Sequence, residues 1–486
     1  MSSPLLRWLT LGLIAGGALW LRTVDLSNRP MHADEANQAV KLGELIESGH
    51  YAFDPRDHHG PTLYYAALPI AWLRGESTLA MLSETTVRLV PALAGTLAVL
   101  LLAALATPPS LSRMNGTPPW PALAAAAFLA VSPPAVYYSR YFIQETLLVT
   151  FTLGALVCGQ RWWRHGHLAW AIAAGGCVGL MQATKASAPL FIGAAVVALL
   201  AVRPPRPAAA RPGRDLALAA GAAIVVAALF YSSFGANPAG LRDAFTVYGP
   251  AWQRASEGAG HEKPWWYYLQ LFGWQQTGGL IWQQLFFSVL ALAGGIFAFV
   301  RRQIFYRWAA IYTLIVAVVL SATPYKTPWH AVHLVPGLAV LAAGAVAALP
   351  RSWLGGLVAA IALTTQLAQT RLAVFTRPAD PRNPYAYVHS TPDVLKFRPR
   401  VETALAHAPE GIVRVIGEEY WPLPWYLRGL PHIGYWSVPP ETCDGVLVIA
   451  TAGQADAVRA RLHGDYRETY LGLRPGVLCV VFTRQP

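Results

Sequence analysis

The sequence is poor in charged residues for its length. Only 13% of its 486 residues are Asp, Glu, Lys or Arg, whereas 55% are hydrophobic and the mean hydropathy is +0.37. A soluble globular domain is typically about 25% charged. This deficit excludes an ordinary soluble enzyme and indicates an integral membrane protein.

Cysteines are few and nucleotide-binding motifs are absent. Four cysteines cannot make a disulfide framework. Cys158 and Cys177 fall in apolar runs. Cys443 and Cys479 fall in the C-terminal tail, where a disulfide bond and two buried free thiols fit equally well. The sequence has no GxGxxG motif, no phosphate-binding loop and no basic-aromatic patch, so nothing in it indicates a nucleotide or nucleic-acid partner.

Apolar runs recur along the chain, each near the ~20 residues that a membrane-spanning helix needs. The first run is followed by "LWLRTVDL" and not by a small-residue cleavage site, so we expect an uncleaved helix. The runs predict about eleven transmembrane helices, with one or two short runs as candidates for re-entrant segments: 8–26, 86–106, 120–138, 145–160, 168–184, 187–202, 215–233, 279–300, 308–323, 330–349 and 353–372.

Basic residues are distributed unequally among the loops. With the N-terminus inside, the inside loops hold 12 Arg and no Lys, Asp or Glu, whereas the first outside loop, 27–85, holds 4 basic and 8 acidic residues. Loops retained in the cytoplasm are rich in Lys and Arg. We therefore expect a cytoplasmic (inner) membrane protein with its N-terminus inside and its C-terminal tail outside, in the periplasm. The net charge of +12 then reflects topology.

The composition changes near residue 372. Residues 1–372 are expected to form a transmembrane domain with long outer loops at 27–85 and 234–278. Residues 373–486 contain three β-branched runs, "GIVRVIG", "GVLVIA" and "GVLCVVF", between helical stretches, which predicts an external α/β domain. The predicted fold class is a mostly α polytopic membrane protein that carries this C-terminal domain.

The first outer loop opens with an acidic pair at the predicted membrane surface. The segment "PMHADEANQAV" places Asp34 and Glu35 behind His32. An acid beside hydrocarbon is costly unless it is paired or used. In the simplest interpretation Asp34 is the N-cap of a helix and Glu35 is solvated. In the alternative interpretation the pair belongs to a functional site.

Three further segments bring ionisable groups to the same predicted outer face. They are "FDPRDHHGP" in the first loop, "SRYFIQE" after the third span, and "TPYKTPWHAVH" between the ninth and tenth spans. Each group alone is explained by snorkelling or by an ion pair. Together they favour a site, because ionisable groups at membrane depth mark functional positions. The candidate residues are His58, His59, Arg140, Glu145, Lys326 and His330.

Glycosyl transfer from a lipid-phosphate sugar explains acids and cations at this surface. A carboxylate takes the proton from the acceptor as it attacks the anomeric carbon. Arg or Lys stabilises the negative charge of the departing lipid phosphate. The isoprenoid tail of the donor would lie between transmembrane helices, which accounts for a site at the membrane edge.

Several motifs resemble a known family. Arg22 and then "RPMHADEA", "HGPTLYY", "SRYFIQE", "PYKTPW", "NPYAYVHSTPD" and "YWPLPWYLRG", in this order, are similar to those of the membrane proteins called flippase activity-associated. That family belongs to the GT-C superfamily, near the protein O-mannosyltransferases and the aminoarabinose transferases of lipid A. The resemblance covers nearly the whole chain.

The resemblance implies roles for individual residues. Asp34 matches the catalytic base of relatives, with Glu35 as the fallback base. Arg140 and Lys326 match positions near the donor phosphate, and Glu145 stands where many relatives have Asp. A divalent metal is compatible with the His, Asp and Glu side chains, but no spacing in the sequence decides for or against it.

We therefore predict a glycosyltransferase that moves a sugar from a polyprenyl-phosphate donor to a lipid, glycan or protein acceptor by inverting displacement. The alternatives are a non-catalytic flippase accessory or translocator of lipid-linked sugar, and a scaffold whose tail binds partners. Apart from Lys185, the predicted spans are nearly free of charge, which disfavours a transport path. Asp34, Glu35, His59, Arg140 and Lys326 are expected to line one outer cavity.

Overall fold

The computed structural model describes residues 4–56, 59–107 and 119–485. The predicted site residue His58 lies outside these ranges. The chain forms two compact units. The membrane unit comprises Met1–Leu26, His50–Ala67 and Arg88–Arg377. The tail unit comprises Ser27–Gly49, Leu68–Val87 and Pro378–Pro486.

Helices dominate the described residues. The first ten are α1 (Pro4–Thr23), α2 (Ala33–Ser48), α3 (Thr62–Leu73), α4 (Glu84–Leu105), α5 (Trp120–Val131), α6 (Pro133–Tyr138), α7 (Glu145–His165), α8 (Leu168–Gln182), α9 (Ala188–Val202) and α10 (Pro212–Tyr231). The others are α11 (Gly240–Thr246), α12 (Tyr248–Glu257), α13 (Tyr267–Phe272), α14 (Leu285–Val300), α15 (Ile304–Ala322), α16 (Val335–Ala347), α17 (Ser352–Arg371), α18 (Phe397–His407), α19 (Leu423–Tyr426) and α20 (Ala455–Arg459). Short 3₁₀ segments include Pro328–His333, which precedes α16.

The predicted apolar runs coincide with helices over most of their length. Among the described residues, five helices are long and apolar enough to cross a membrane: α1, α4, α10, α15 and α17 with its continuation to Thr376. Shorter apolar helices account for most of the other predicted runs. The chain is therefore an integral membrane protein by composition and helix length. The number of crossings and their direction stay predictions.

Two predicted runs are interrupted for clear local reasons. The run 120–138 breaks at Ser132 because Pro133 and Pro134 follow it, and a residue before proline avoids the helical region. The run 279–300 begins as strand. Strands β1 (Trp274–Thr277) and β2 (Leu280–Gln283) form an antiparallel hairpin whose two-residue turn is Gly278–Gly279, both with positive φ.

Small residues allow the membrane helices to approach closely. A Cβ on Gly175 of α8 would lie 2.0 Å from the carbonyl oxygen of Ala219 in α10. A Cβ on Gly294 of α14 would lie 1.9 Å from the carbonyl oxygen of Leu341 in α16. Close backbone contact of this kind is how helices pack in lipid, where burial of apolar surface gives little driving force.

The tail unit contains the predicted α/β fold. Strands β3 (Val413–Ile416), β4 (Ile433–Trp436), β5 (Leu447–Thr451), β6 (Tyr466–Arg474) and β7 (Val477–Arg484) form one sheet in the order β4-β3-β5-β7-β6. The first three strands are parallel, and β7 is antiparallel to both β5 and β6. All three β-branched runs thus join one sheet, as predicted. Cys443 and Cys479 are both free, buried thiols. The expected boundary near residue 372 stays a prediction.

Candidate functional site

Helix α2 begins with a capping box that sets the two acids apart. His32 is the N-cap, and its Nδ1 accepts a hydrogen bond from the backbone N–H of Asp34 at 3.1 Å. The carboxylate of Glu35 accepts from the backbone N–H of His32, also at 3.1 Å. This reciprocal pair satisfies donors that the first turn of a helix otherwise leaves open.

The two acids have opposite environments. Glu35 is fully buried and forms an ion pair with Arg29, with 2.6 Å between the guanidinium nitrogen and the carboxylate oxygen. The Asp34 side chain is 52% exposed, and its carboxylate oxygen lies 3.9 Å from Nδ1 of the His32 ring. The interpretation of Asp34 as N-cap and Glu35 as solvated is therefore wrong on both points. Of the two, Asp34 is the carboxylate that is exposed.

Sequence reasoning missed this arrangement because histidine is an uncommon N-cap. The signal was nevertheless present: an acid stands three residues after His32, which is the spacing of a capping box. Arg29, six residues before Glu35, was also overlooked as the partner that neutralises the buried acid.

In the membrane unit, Arg140 holds the end of α1. Its guanidinium donates to the carbonyl oxygens of Leu21 at 3.2 Å, Val24 at 2.5 Å and Asp25 at 2.7 Å. It also lies over the Phe375 ring, 5.1 Å from the centroid. These carbonyls belong to the last turn of α1 and the residues that follow it, where helix carbonyls lack partners. Arg140 therefore has a structural task, and its expected contact with donor phosphate stays a prediction.

Two other buried arginines act in the same way, and the sequence argument gave neither this task. Arg22 donates to the carbonyl oxygens of Ala130 at 2.9 Å and Leu129 at 3.3 Å. Arg88 donates to the carbonyl oxygen of Leu26 at 2.6 Å. A guanidinium has five donors in a rigid fork, so it can bind several carbonyls at once. Arg22, Arg88 and Arg140 are called the carbonyl-bound arginines below.

Glu145 forms a buried ion pair with Lys185. Glu145 lies in the first turn of α7, where its charge is favoured by the helix dipole, and Lys185 follows the end of α8. Both residues are less than a tenth exposed. Lys185, the charge that the sequence argument set apart from the nearly uncharged spans, is therefore neutralised. Because Lys185 is paired, it is not available as one of the charged positions that a transport path would use.

The HGP motif packs on the segment just before Lys185. Gly60 donates its N–H to the carbonyl oxygen of Thr184 at 3.1 Å, and the hydroxyls of Thr62 and Thr184 lie 2.7 Å apart. A Cβ on Gly60 would lie 2.1 Å from the carbonyl oxygen of Ala183, so only glycine fits. The motif thereby fixes the position of His59.

Lys326 and several histidines occupy one neighbourhood of the membrane unit. Lys326 is buried, and its Nζ donates to the carbonyl oxygen of Thr323 at 2.5 Å, its one hydrogen bond to the described residues. Desolvation lowers the pKa of the Lys326 ammonium from its ordinary value. Its backbone N–H donates to the carbonyl oxygen of His261 at 3.1 Å. His330 interacts electrostatically with Lys185, His59 and His261. Lys185, His59, His261 and His330 are called the lysine–histidine cluster below, and Lys326 is joined to it through its backbone contact with His261.

An apolar cleft reaches His333, near this cluster. It lies between α4, α7, α15 and α16. The ring of His333 lies at the cleft and stacks on Phe191 with 4.3 Å between centroids. His333 is three residues from His330, and the two interact electrostatically. The remaining lining is almost wholly apolar: Leu102, Leu105, Val149, Thr152, Leu153, Leu156, Phe305, Trp308, Ala309, Tyr312, Pro336, Gly337 and Val340.

Metal ligands are not assigned. Within residues 4–56, 59–107 and 119–485, no group of three or more His, Cys, Asp or Glu side chains is placed to hold a metal ion. We derive no step that uses one.

Comparison with known proteins supports the fold. Residues 67–231, less than half of the chain, match the family model described as dolichyl-phosphate-mannose-protein mannosyltransferase. No curated protein matches the chain in sequence. ArnT from Cupriavidus metallidurans in the apo state matches with a TM-score of 0.69 and 16% identity, over 99% of this chain and 98% of that one. Its complex with undecaprenyl phosphate gives a TM-score of 0.66, 16% identity, and coverages of 96% and 97%.

A third solved structure is similar at greater distance. The oligosaccharyltransferase AglB from Archaeoglobus fulgidus, in complex with an inhibitory peptide and a dolichol-phosphate, matches with a TM-score of 0.56 and 14% identity, over 96% of this chain and 72% of that one. These likenesses identify the class of fold: the chain has the fold of the GT-C membrane glycosyltransferases, as the resemblance implied. At such identities they identify the fold alone.

Proposed function

We propose that this protein is a membrane glycosyltransferase that uses a polyprenyl-phosphate sugar as donor. The observation that carries the proposal is the apolar cleft whose lining includes His333, a residue that interacts electrostatically with Lys185 and His330 of the lysine–histidine cluster. A polyprenyl phosphate is a long apolar chain with one anionic head. The cleft suits the chain in chemistry, and Lys326, which is joined to the cluster through His261, suits the head. The match to a mannosyltransferase family model supports the same donor class.

In the proposed reaction, Asp34 is the general base. Its carboxylate takes the proton of the acceptor nucleophile while the nucleophile forms a bond to the anomeric carbon. The bond from that carbon to the phosphate oxygen breaks, and the polyprenyl phosphate leaves with the electron pair. One displacement inverts the anomeric configuration. Asp34 suits the role better than Glu35, because Glu35 is buried and held by Arg29.

Lys326 is the proposed cation for the departing phosphate. Its ammonium has one hydrogen bond to the described residues, so donors remain for phosphate oxygens. Arg140 is a second candidate, but three of its hydrogen bonds go to carbonyls. The base belongs to the tail unit and the cations to the membrane unit. The reaction requires one donor and acceptor to reach both, and this requirement stays a prediction.

Asp34→Asn tests the proposed base. We expect the variant to insert and fold normally, to bind undecaprenyl phosphate, and to lose transfer by about 10²–10⁴-fold, as is typical when a general base is removed. Glu35→Gln is the matched neighbour, and its effect should appear as lower stability because a buried ion pair is broken. Mass spectrometry of lipids and glycans from a deletion strain, complemented with each variant, measures the species that the protein makes.

The outcomes separate the candidate functions. Full product from the Asp34→Asn strain would remove Asp34 as base. Loss of product with Glu35→Gln at normal protein level would exchange the two roles. If both variants made full product while the deletion strain accumulated the lipid-linked sugar, the non-catalytic translocator would replace the transferase.

A further inference from the structure

Two motifs of the C-terminal tail contact the start of α2. These are "NPYAYVHSTPD" (383–393) and "YWPLPWYLRG" (420–429), which the proposed reaction leaves without a task. Both belong to the tail unit, as does α2. The hydroxyl of Tyr426 accepts a hydrogen bond from the backbone N–H of Met31 at 2.7 Å, and this contact is buried. The second motif therefore holds the chain just before the N-cap of α2.

The first motif holds His32 and Arg29. The carbonyl oxygen of Tyr387 lies 3.1 Å from His32 Nε2, and His389 Nε2 lies 3.2 Å from the Arg29 guanidinium. The rings of His32 and His389 pack edge to face, with 5.8 Å between centroids. Both histidines are less than a tenth exposed.

The hydrogen bonds fix the tautomers of both rings. His32 Nδ1 accepts from the N–H of Asp34, so Nε2 carries the proton and donates to Tyr387. An arginine only donates, so His389 Nε2 is the acceptor and Nδ1 donates to the carbonyl oxygen of Ser390 at 3.1 Å. Burial, and then the charge of Arg29, hold the pKa of His389 well below its usual range, which keeps this ring neutral.

The segment 387–391, which carries the contacts to His32 and Arg29, is anchored to the sheet and has a strained backbone. Thr391 is tied to the edge strand β6 through its N–H to the carbonyl oxygen of Leu473 at 3.0 Å and its hydroxyl to that of Gly472 at 2.6 Å. Val388 lies between Tyr387 and His389 and has φ +46°, a conformation that a β-branched residue rarely adopts. Strain of this kind persists where surrounding contacts over-determine the backbone, and it gathers at functional sites.

We propose that Tyr387, His389 and Tyr426 are positioning residues that set the base Asp34 in place. This inference rests on the proposed function. The chain of contacts runs from the sheet through the first motif to His32, whose ring accepts a hydrogen bond from the backbone N–H of Asp34. A base that is misplaced by about 1 Å can lose 10²-fold in rate without any loss of donor binding. The external domain is thus part of the catalytic apparatus.

Single-atom and matched substitutions test the proposal. Tyr426→Phe removes one oxygen. His389→Leu removes one acceptor of Arg29, which also donates to Glu35, whereas His389→Gln keeps an acceptor near the Nε2 position. His32→Asn keeps a good N-cap but loses the donor to Tyr387. The control is His407→Leu, an exposed histidine on α18 of the same domain. Each variant is measured in the full-length protein beside Asp34→Asn.

Three measurements give the expected pattern. Product in the complemented deletion strain should fall about 10-fold or more for Tyr426→Phe, His389→Leu and His32→Asn, and His389→Gln should recover most of it. Affinity for undecaprenyl phosphate should not change. Hydrogen exchange at the amides of residues 32–36 should quicken in Tyr426→Phe and His389→Leu, while the control should match the wild type in all three measurements.

Every outcome decides for or against the positioning role. Normal product from Tyr426→Phe and His389→Leu, beside a dead Asp34→Asn, would overturn this inference and leave the proposed function standing. Full product from Asp34→Asn would remove the base and this inference with it. If His389→Leu fails to fold, Tyr426→Phe decides alone. Unchanged exchange at residues 32–36 would show that the motifs do not hold α2.

Discussion

The two groups of buried cations in the membrane unit differ in what their charge faces. The carbonyl-bound arginines donate to backbone oxygens, mostly at helix ends, and Arg22 and Arg140 each have at least three such bonds. The buried lysines are different, because Lys326 has one bond to a carbonyl and Lys185 is paired with Glu145. A buried cation in this protein is thus bound by several carbonyls, paired with a carboxylate, or left with donors in reserve, and residue type alone does not say which.

The two groups of cations predict different effects of substitution, one on stability and the other on ligand binding. Removing a carbonyl-bound arginine should reduce stability first, because it leaves buried carbonyls without partners. Removing Lys326 should reduce binding of an anionic ligand first, because only one carbonyl depends on it.

The largest effect is expected from Arg140→Met. The change leaves the carbonyls of Leu21, Val24 and Asp25 without a donor, and each unsatisfied group costs about 1–3 kcal/mol. We expect a loss of about 3 kcal/mol or more, measured as a lower unfolding temperature of the purified protein in detergent. Arg140→Lys should recover only part of it, because an ammonium cannot reproduce the fork. A stable Arg140→Met protein that cannot bind undecaprenyl phosphate would instead place Arg140 at the phosphate.

Much of the fold was predictable from local pattern. Apolar runs located the membrane helices, and three β-branched runs located strands of the tail sheet. The hairpin at Trp274–Gln283 was missed because it crosses from the predicted loop 234–278 into the apolar run 279–300, although Gly278–Gly279 marked its turn. Helices, strands and hairpins of this kind are set by residues close together in the chain. They can be predicted from the sequence when turn residues are considered together with the apolar runs.

The environment of each candidate site residue was less predictable. That Glu35 is buried depends on Arg29 and on a histidine N-cap, and both are local. That Arg140 binds carbonyls depends on the end of α1, more than a hundred residues earlier in the chain. The sequence placed these ionisable residues near the outer surface but did not reveal which were already engaged, because engagement is set by tertiary contacts.

A smaller effect is expected from Lys326→Met. Loss of one charge-assisted contact to phosphate should weaken undecaprenyl phosphate binding about 10-fold, while the unfolding temperature stays near that of the wild type. Undecaprenol, which has the same tail without the phosphate, is the matched ligand control, and its affinity should not change. Equal weakening for both lipids would mean that the substitution disturbs the cleft and not a phosphate contact.

The smallest effect is a pH dependence of the same binding. Desolvation lowers the pKa of Lys326, so its ammonium loses its proton at a pH below the ordinary lysine range as the solution becomes alkaline. The phosphate is already ionised there, since its second pKa is about 6. The charge that attracts phosphate is therefore present below the lowered pKa and disappears as pH rises through it. Affinity for undecaprenyl phosphate should fall as the pH rises through the lowered pKa of Lys326.

Lys326→Arg is the matched variant for this measurement. An arginine has a pKa far above the pH range in which Lys326 loses its proton. The affinity of the variant should therefore stay level while that of the wild type declines. Bound phosphate favours the ammonium form, so the wild type should also take up protons on binding at alkaline pH, which calorimetry in buffers of different ionisation enthalpy detects. A wild-type profile as level as that of Lys326→Arg would show that the phosphate contact lies on another cation. The first candidate would then be Arg140, and the division between backbone-bound and ligand-facing cations would have to be redrawn.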